Sequence, residues 1–501
     1  MYFELNGYVK TNKTLKEVKS GIAKIVEASN KQFSKLGENF GKITEWKIED
    51  DKIIVKITSG GSPRPHECLI RFKKNLAEEL GEKHKIGVRE IFAGKYVVEF
   101  ETDKKAVKQI KLPFVSECKL KDNKCTLVFE NLDEEMLQKN YIDRLIKLVN
   151  EKIRYQYYEG KEEYKEYVWN SKEKKMYFDK DPAEEMEKMG WIRRTSGKGQ
   201  FVFGREYTAL INVFKEIIIK HMYETLGFYE TIFPKFEPWK IPTKSGHAAT
   251  ILPNAYFVFV PKDSAVEFWE DVSDHYKITG EIDKEGILRR VESVGIMSYA
   301  QCPPFWSLLE GRTIDEKTLP LKIYDWSGPT YRNESGGTHG LDRIEEFHRI
   351  ETLWVGTKKQ VTETWKQTID AFKKIFDKVL DLELRSAKVS PWWMAHAGMK
   401  TEKGTEEVGT FDFDAYLPFK GDRDSEWLEI QNTSSIGDKY PKAFTVKGTK
   451  EELWSGCAGG SLERWAVAFL AQKGFDTKNW PEEIRKSFEQ KIKNIKPLKF
   501  F

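Results

Sequence analysis

The chain is poor in cysteine, and its cysteines are badly spaced for cross-linking. Cys68, Cys118, Cys125, Cys302 and Cys457 lie scattered over 501 residues. An odd, irregular set argues against a disulfide framework and for the reducing cytoplasm. No apolar run approaches the ~20 residues that span a bilayer, so no membrane partner is expected. The opening MYFELNGYVKT lacks the charged and apolar regions of a secretion signal. No fixed-period repeat and no low-complexity tract is present. Two common nucleotide signatures are also missing. There is no G-x-x-x-x-G-K-S/T, and no dinucleotide fingerprint followed by its acidic partner.

What is present describes a lysine-rich globular chain, 32% charged and 40% hydrophobic. Its length exceeds one ordinary core, so two or more domains are expected. The net charge is only +4, but it is unevenly spread. Residues 1–160 hold 31 Lys and Arg against 25 Asp and Glu, while the remainder is slightly acidic. A basic N-terminal third favours an anionic partner there.

Residues 1–160 alternate strand and helix signals, which predicts a compact, mostly antiparallel α+β domain. YFELNGYVK reads as a strand, and ITEWKIEDDKIIVKIT as a hairpin around Asp50-Asp51. CLIRFKKNLAEEL reads as a strand running into a helix, and VREIFAGKYVVEF as a second hairpin turning at Ala93-Gly94. After Asn131, taken as a cap, an apolar stripe from Leu132 to Ile153 has helical spacing. Residues 161–198 are dense in charge and read as a partly helical linker. From residue 199 to 501 the chain is apolar and aromatic, the composition of a large second domain.

The most informative stretch is YRNESGGTHGLDRIEEFHRIE, residues 331–351. Two β-type segments flank a loop of Gly, Ser and Thr. In an extended strand, Arg343, Glu345, Phe347, Arg349 and Glu351 share one face. Arg332 and Glu334 share a face on the opposing segment. Such a surface can stack a base on Phe347 and neutralise phosphates with Arg332 and Arg343. Glu351 is left for something cationic.

This pattern resembles motif 2 of the class II aminoacyl-tRNA synthetases. LGFYETIFPKFEP (226–238), with Pro234, is similar to motif 1, and ELWSGCAGGSLERWAVAFLAQKG (452–474) to motif 3. The resemblance narrows further to the methanogenic, rare type of seryl-tRNA synthetase. That type holds one zinc ion per subunit with two cysteines and the motif 2 glutamate. The matching positions are Cys302, Cys457 and Glu351. It also carries an N-terminal domain of this size.

The resemblance implies an α+β fold: a large antiparallel sheet flanked by helices, preceded by a smaller α+β domain. It implies serine activation by ATP with Mg²⁺, then transfer to the 3′ end of serine tRNA, with selenocysteine tRNA as a further acceptor. Arg332 matches the α-phosphate arginine, Arg343 the distal-phosphate arginine and Phe347 the ring under adenine. Glu334 matches a contact to the adenine edge and to serine. Arg464 would cover adenine or the γ-phosphate, and Glu429 and Asn432 in WLEIQN would hold Mg²⁺. Arg349, Trp392 and Asn432 are the further candidates for the serine pocket. Trp392, Trp393 and His396 fall in a segment resembling the type's helix-turn-helix insert, near 390–408. Arg71, Lys74 and Arg89 are the candidate tRNA contacts, and Pro234 marks the expected homodimer interface. The competing readings are an amino acid:carrier-protein ligase, which lacks the RNA-binding domain, and a non-catalytic RNA-binding relative. Threonine and alanine are the substrates to discriminate against.

Overall fold

The computed structural model describes residues 1–501 except 38, 159–164, 335–336, 390–406, 425–426, 495 and 497–501. The chain divides into two compact units, Met1–Lys161 and Glu162–Phe501.

The first unit is a six-stranded antiparallel sheet with helices. Its elements are β1 (Tyr2–Thr11), α1 (Lys19–Phe33), β2 (Lys42–Glu49), β3 (Lys52–Ser59), α2 (Pro65–His84), β4 (Val88–Glu101), β5 (Glu117–Lys121), β6 (Lys124–Leu132), α3 (Glu134–Gln138) and α4 (Tyr141–Tyr158). The strand order is β2-β3-β1-β4-β6-β5. β1 buries every second residue, the half-buried pattern its alternation predicts.

Three local expectations are corrected. CLIRFKKNLAEEL is helical throughout, because Leu69, Phe72, Leu76 and Leu80 form one buried stripe of α2. Pro65 and the Glu67 carboxylate, which accepts the Arg64 amide at 2.7 Å, start that helix earlier. VREIFAGKYVVEF is one strand, not a hairpin. Asn6 pairs with Lys95 and Gly7 with Ala93, so Gly94 is the extra residue of a bulge. Any side chain at Gly7 would meet the Phe92 carbonyl at 2.3 Å, so the backbones close up where the bulge forms. Asn131 is the penultimate residue of β6, with φ 58°, and the helix cap is Asp133, whose carboxylate accepts the Met136 amide at 2.9 Å.

The second unit is built on a nine-stranded sheet. Its strands are β7 (Lys165–Asn170), β8 (Tyr229–Glu230), β9 (Leu321–Asp325), β10 (Pro329–Tyr331), β11 (Glu346–Thr357), β12 (Leu384–Val389), β13 (Gly409–Tyr416), β14 (Trp427–Gly437) and β15 (Leu453–Ser461). The order is β8-β9-β11-β15-β14-β13-β12-β7, with β10 also on β11. Every pairing is antiparallel except β8–β9. Helices α5 (Lys358–Lys374) and α6 (Leu462–Lys473) pack on it. Residues 165–170, expected within a linker, are an edge strand paired with β12. Their charge suits an edge, where side chains meet solvent.

Candidate active site

β11 and β15 lie side by side in the middle of the sheet, and their register places the polar residues. Glu351 faces Gly459 on one side and Asp325 on the other. Cys457 faces Leu353 on β11 and Ser434 on β14. The third member, Cys302, opens the helix Cys302–Leu309, which the prolines of CPPFW start without a side-chain cap. The Sγ atoms of Cys302 and Cys457 and a Glu351 carboxylate oxygen all lie within 4.8 Å of one another.

The cluster is buried. Glu351 is 0% exposed, and its Oε1 has no hydrogen-bond partner. The other oxygen, Oε2, accepts from Arg349 Nε at 2.7 Å. Burial pushes the Glu351 carboxyl up, the Arg349 guanidinium pulls it down, and burial prevails. The hydrogen bond to Cys457, together with burial, holds the Cys302 thiol far above its ordinary value. Two sulfurs and one orphaned carboxylate oxygen, this close together, are a donor set that could hold a metal ion. A bound cation would replace the thiol protons and satisfy Oε1.

Arg349 is locked over this cluster by the opposite strand. A side chain at Gly459 would sit 2.0 Å from Arg349 Nη2. Gly459 of GCAGGS therefore makes room for a guanidinium, a reason that resides on another strand, while a side chain at its neighbour Gly460 would meet Gln431 Oε1 at 2.0 Å.

The same cavity, ≈ 220 Å³, runs from Cys302, Arg349 and Cys457 to Arg332, Arg343 and Arg464. Phe347 lines it while only 9% exposed. Arg343 lies before β11 rather than on its face, because the strand begins at Glu346. It reaches back across the loop, and its Nε donates to Glu334 Oε2 at 2.8 Å. From Ile350 to Gly356 both faces of β11 are buried, so alternation no longer separates inside from outside there.

Arg464 stands in the first turn of α6, whose N-cap is Ser461. It donates from Nε to the Asp342 carbonyl at 2.9 Å and from Nη1 to the Glu429 carbonyl at 2.8 Å. Asn432 Nδ2 donates to Glu429 Oε1 at 3.4 Å. Arg332, Glu334, Arg343, Phe347, Arg349, Glu429, Asn432, Arg464 and the two cysteines thus line one cavity. Trp392, Trp393 and His396 lie outside the described residues. Pro234 is exposed, four residues after the end of β8.

Several lining residues were not singled out from the sequence. Tyr299, His247 and Tyr440 line the cavity, the last two joined Nε2 to OH at 2.8 Å. Burial drives the His247 imidazole down to about 3, so the ring is neutral. Tyr299 stood in plain view in SYAQCPPFW, three residues before Cys302. His247 and Tyr440 carry no local signal, being 193 residues apart.

In the N-terminal unit, Arg71 and Lys74 are exposed on one side of α2, and Arg89 is exposed on β4. Glu134 links the two elements: it accepts from Lys73 Nζ at 2.6 Å and from the Ile91 amide at 3.4 Å. Lys73 is thereby neutralised, and Arg71, Lys74 and Arg89 are left to solvent.

An antiparallel sheet whose central strands carry an arginine-lined cavity, with a further arginine in the helix after β15, defines a class II aminoacyl-tRNA synthetase catalytic unit. Residues 292–472 match the model of the tRNA synthetase class II core domain (G, H, P, S and T), and residues 1–151 match that of a tRNA-binding domain. The chain is 42% identical to the type-2 serine–tRNA ligase of Methanococcoides burtonii, over 99% of both chains. It is 39% identical to that of Methanothrix thermoacetophila, over 99% of this chain and 100% of the relative. The chain belongs to the type-2 serine–tRNA ligase family. Its fold overlays the M. kandleri SerRS crystallised with A. aeolicus tRNASec, with a TM-score of 0.86 and 28% identity, covering 100% of this chain and 98% of that one.

Proposed function

We propose that the protein activates serine with ATP and transfers the seryl group of seryl-adenylate to the 3′ end of serine tRNA. The observation that carries this is one cavity lined by Cys302 and Cys457, which cluster with the buried Glu351, and by Arg332, Arg343 and Arg464. The serine carboxylate is already a nucleophile, so positioning and charge stabilisation are the whole task. Arg332 meets the α-phosphate, and Arg343 and Arg464 meet the distal phosphates and adenine. Phe347 supports the base, and Glu334 reads its edge. Glu429 and Asn432 hold Mg²⁺ between phosphates.

Cys302, Glu351 and Cys457 would hold zinc, which supplies a Lewis-acidic position for a neutral α-amine. Arg349 keeps Glu351 oriented and, with Glu334 and Asn432, borders the serine side of the pocket. The exposed apolar residues of motif 1, Tyr229 at 74% and Ile232 at 79%, support a homodimer through that segment and Pro234. The N-terminal unit, divided from the catalytic one, supports a tRNA over a carrier protein as acceptor. Selenocysteine tRNA, present in the M. kandleri complex, is a second acceptor on the same argument. No helix among the described residues is long and apolar enough to cross a membrane. The cytoplasm, where charged tRNA is used, is the place this reading assigns.

Amino-acid-dependent ATP–pyrophosphate exchange tests the reading, run with serine, threonine, alanine and cysteine before and after chelation. Exchange with serine alone, lost with the metal and restored by zinc, is expected. Preference for another amino acid would move the protein to a different ligase. One extra methyl is resisted by only ~1–3 kcal/mol of apolar discrimination, so rejection of threonine must come from a clash.

A second expectation separates the two units. Arg71→Ala and Arg89→Ala should slow tRNA charging about 10-fold or more while exchange stays at the unsubstituted rate, because exposed arginines act through phosphates. Equal losses in both assays would deny these residues an RNA role.

A further inference from the structure

Arg332 must be aimed, yet few polar contacts aim it. Its amide donates to the Glu345 carbonyl at 2.8 Å, which fixes the backbone. Its side-chain Nε is buried and has no hydrogen-bond partner. The guanidinium instead lies over the ring of Tyr299, 4.5 Å from the centroid, and more distantly over Phe347, at 5.9 Å.

Tyr299 is itself held firmly. Its ring packs against Ile251, Ala255 and Ile296. The loop that carries it is tied on both sides. The Ser298 amide donates to the Lys235 carbonyl, and the Ser298 carbonyl accepts from Tyr331, each at 2.9 Å. Ser298 Oγ donates to the Ala300 carbonyl at 3.1 Å. Gln301 Nε2 donates to the Gly328 carbonyl at 2.9 Å. Tyr331 adjoins Arg332, so the loop and the arginine share one hydrogen-bonded frame. A guanidinium lying over a fixed ring is restrained in tilt while its N–H edges remain free for an anion.

We propose that Tyr299 is the positioning residue of Arg332: its ring is the platform that turns the guanidinium towards the α-phosphate. The proposal rests on the ATP reading above. It predicts a residue that matters for phosphate and not for adenine.

Calorimetric titration of Mg-ATP and of adenosine, with Tyr299→Leu and Tyr299→Phe, tests it. Tyr299→Leu is expected to weaken ATP binding by about 5- to 20-fold, the range of a partly buried cation–π contact. Its kcat for serine-dependent exchange falls, while adenosine affinity and metal content stay at the unsubstituted values. Tyr299→Phe, which keeps the ring, restores ATP binding. Unchanged ATP affinity in Tyr299→Leu overturns the proposal. So does a parallel loss of ATP and adenosine, the mark of a collapsed pocket, or a Tyr299→Phe protein as weak as Tyr299→Leu. Failure of the unsubstituted protein to bind ATP would overturn the functional reading, and this proposal with it. The wild-type titration alone tells those two failures apart.

Discussion

Cys457→Ala is expected to abolish both metal retention and serine-dependent exchange while leaving the fold intact. Cys457 sits on β15 between Gly456 and Ala458, where an alanine fits the strand. The substitution leaves Cys302 and Glu351 as two donors, too few for the proposed three-ligand zinc site. Losing only an outer partner of a metal site costs 10–100-fold, so losing a ligand should lower exchange by more than about 100-fold. The same result is expected for Glu351→Gln, whose neutral amide is a poor ligand beside Arg349. Atomic spectroscopy should find about one zinc per chain before substitution and none after, with the thermal transition of the N-terminal unit unmoved. Full exchange by protein shown to be free of metal would remove the cluster from serine recognition.

Arg332→Ala is the second large effect. It should reduce serine-dependent exchange by about 10²–10³-fold, the usual cost of removing one donor aimed at developing charge. Metal content should not change. The hydrogen bond from the residue 332 amide to the Glu345 carbonyl survives the substitution, so the loop keeps its anchor. Arg332→Lys should recover little, because a lysine is a point charge and cannot present the planar fork. The decisive comparison is kcat against KM for ATP. A loss in kcat marks an interaction made in the transition state, whereas a pure rise in KM would mark uniform binding and would demote Arg332 to a ground-state contact.

Much of this was legible without coordinates. The alternation of β1 and the hairpin at Asp50-Asp51 follow from local periodicity and turn chemistry, which a linear chain displays. The residue types of the active site were legible for a similar reason. Binding phosphates and an amine in one place demands arginines, an aromatic and a carboxylate, and YRNESGGTHGLDRIEEFHRIE supplies them within a short stretch.

Other features depend on partners distant in the chain, and only the tertiary structure decided them. Gly94 reads as a turn until its neighbour β1 shows it to be a bulge. Residues 165–170 read as linker until β12 pairs with them. Glu351 reads as the carboxylate left for something cationic, but no local spacing joins it to Cys302 or Cys457. It becomes a metal-type ligand because β15 brings Cys457 beside it and the helix Cys302–Leu309 brings Cys302. The sequence by itself determined which chemical groups the protein owns and the elements that carry them. Their convergence was decided by strand register, because hydrogen bonding between β11 and β15 sets Glu351 beside Gly459, more than a hundred positions away, a relation that no local pattern encodes.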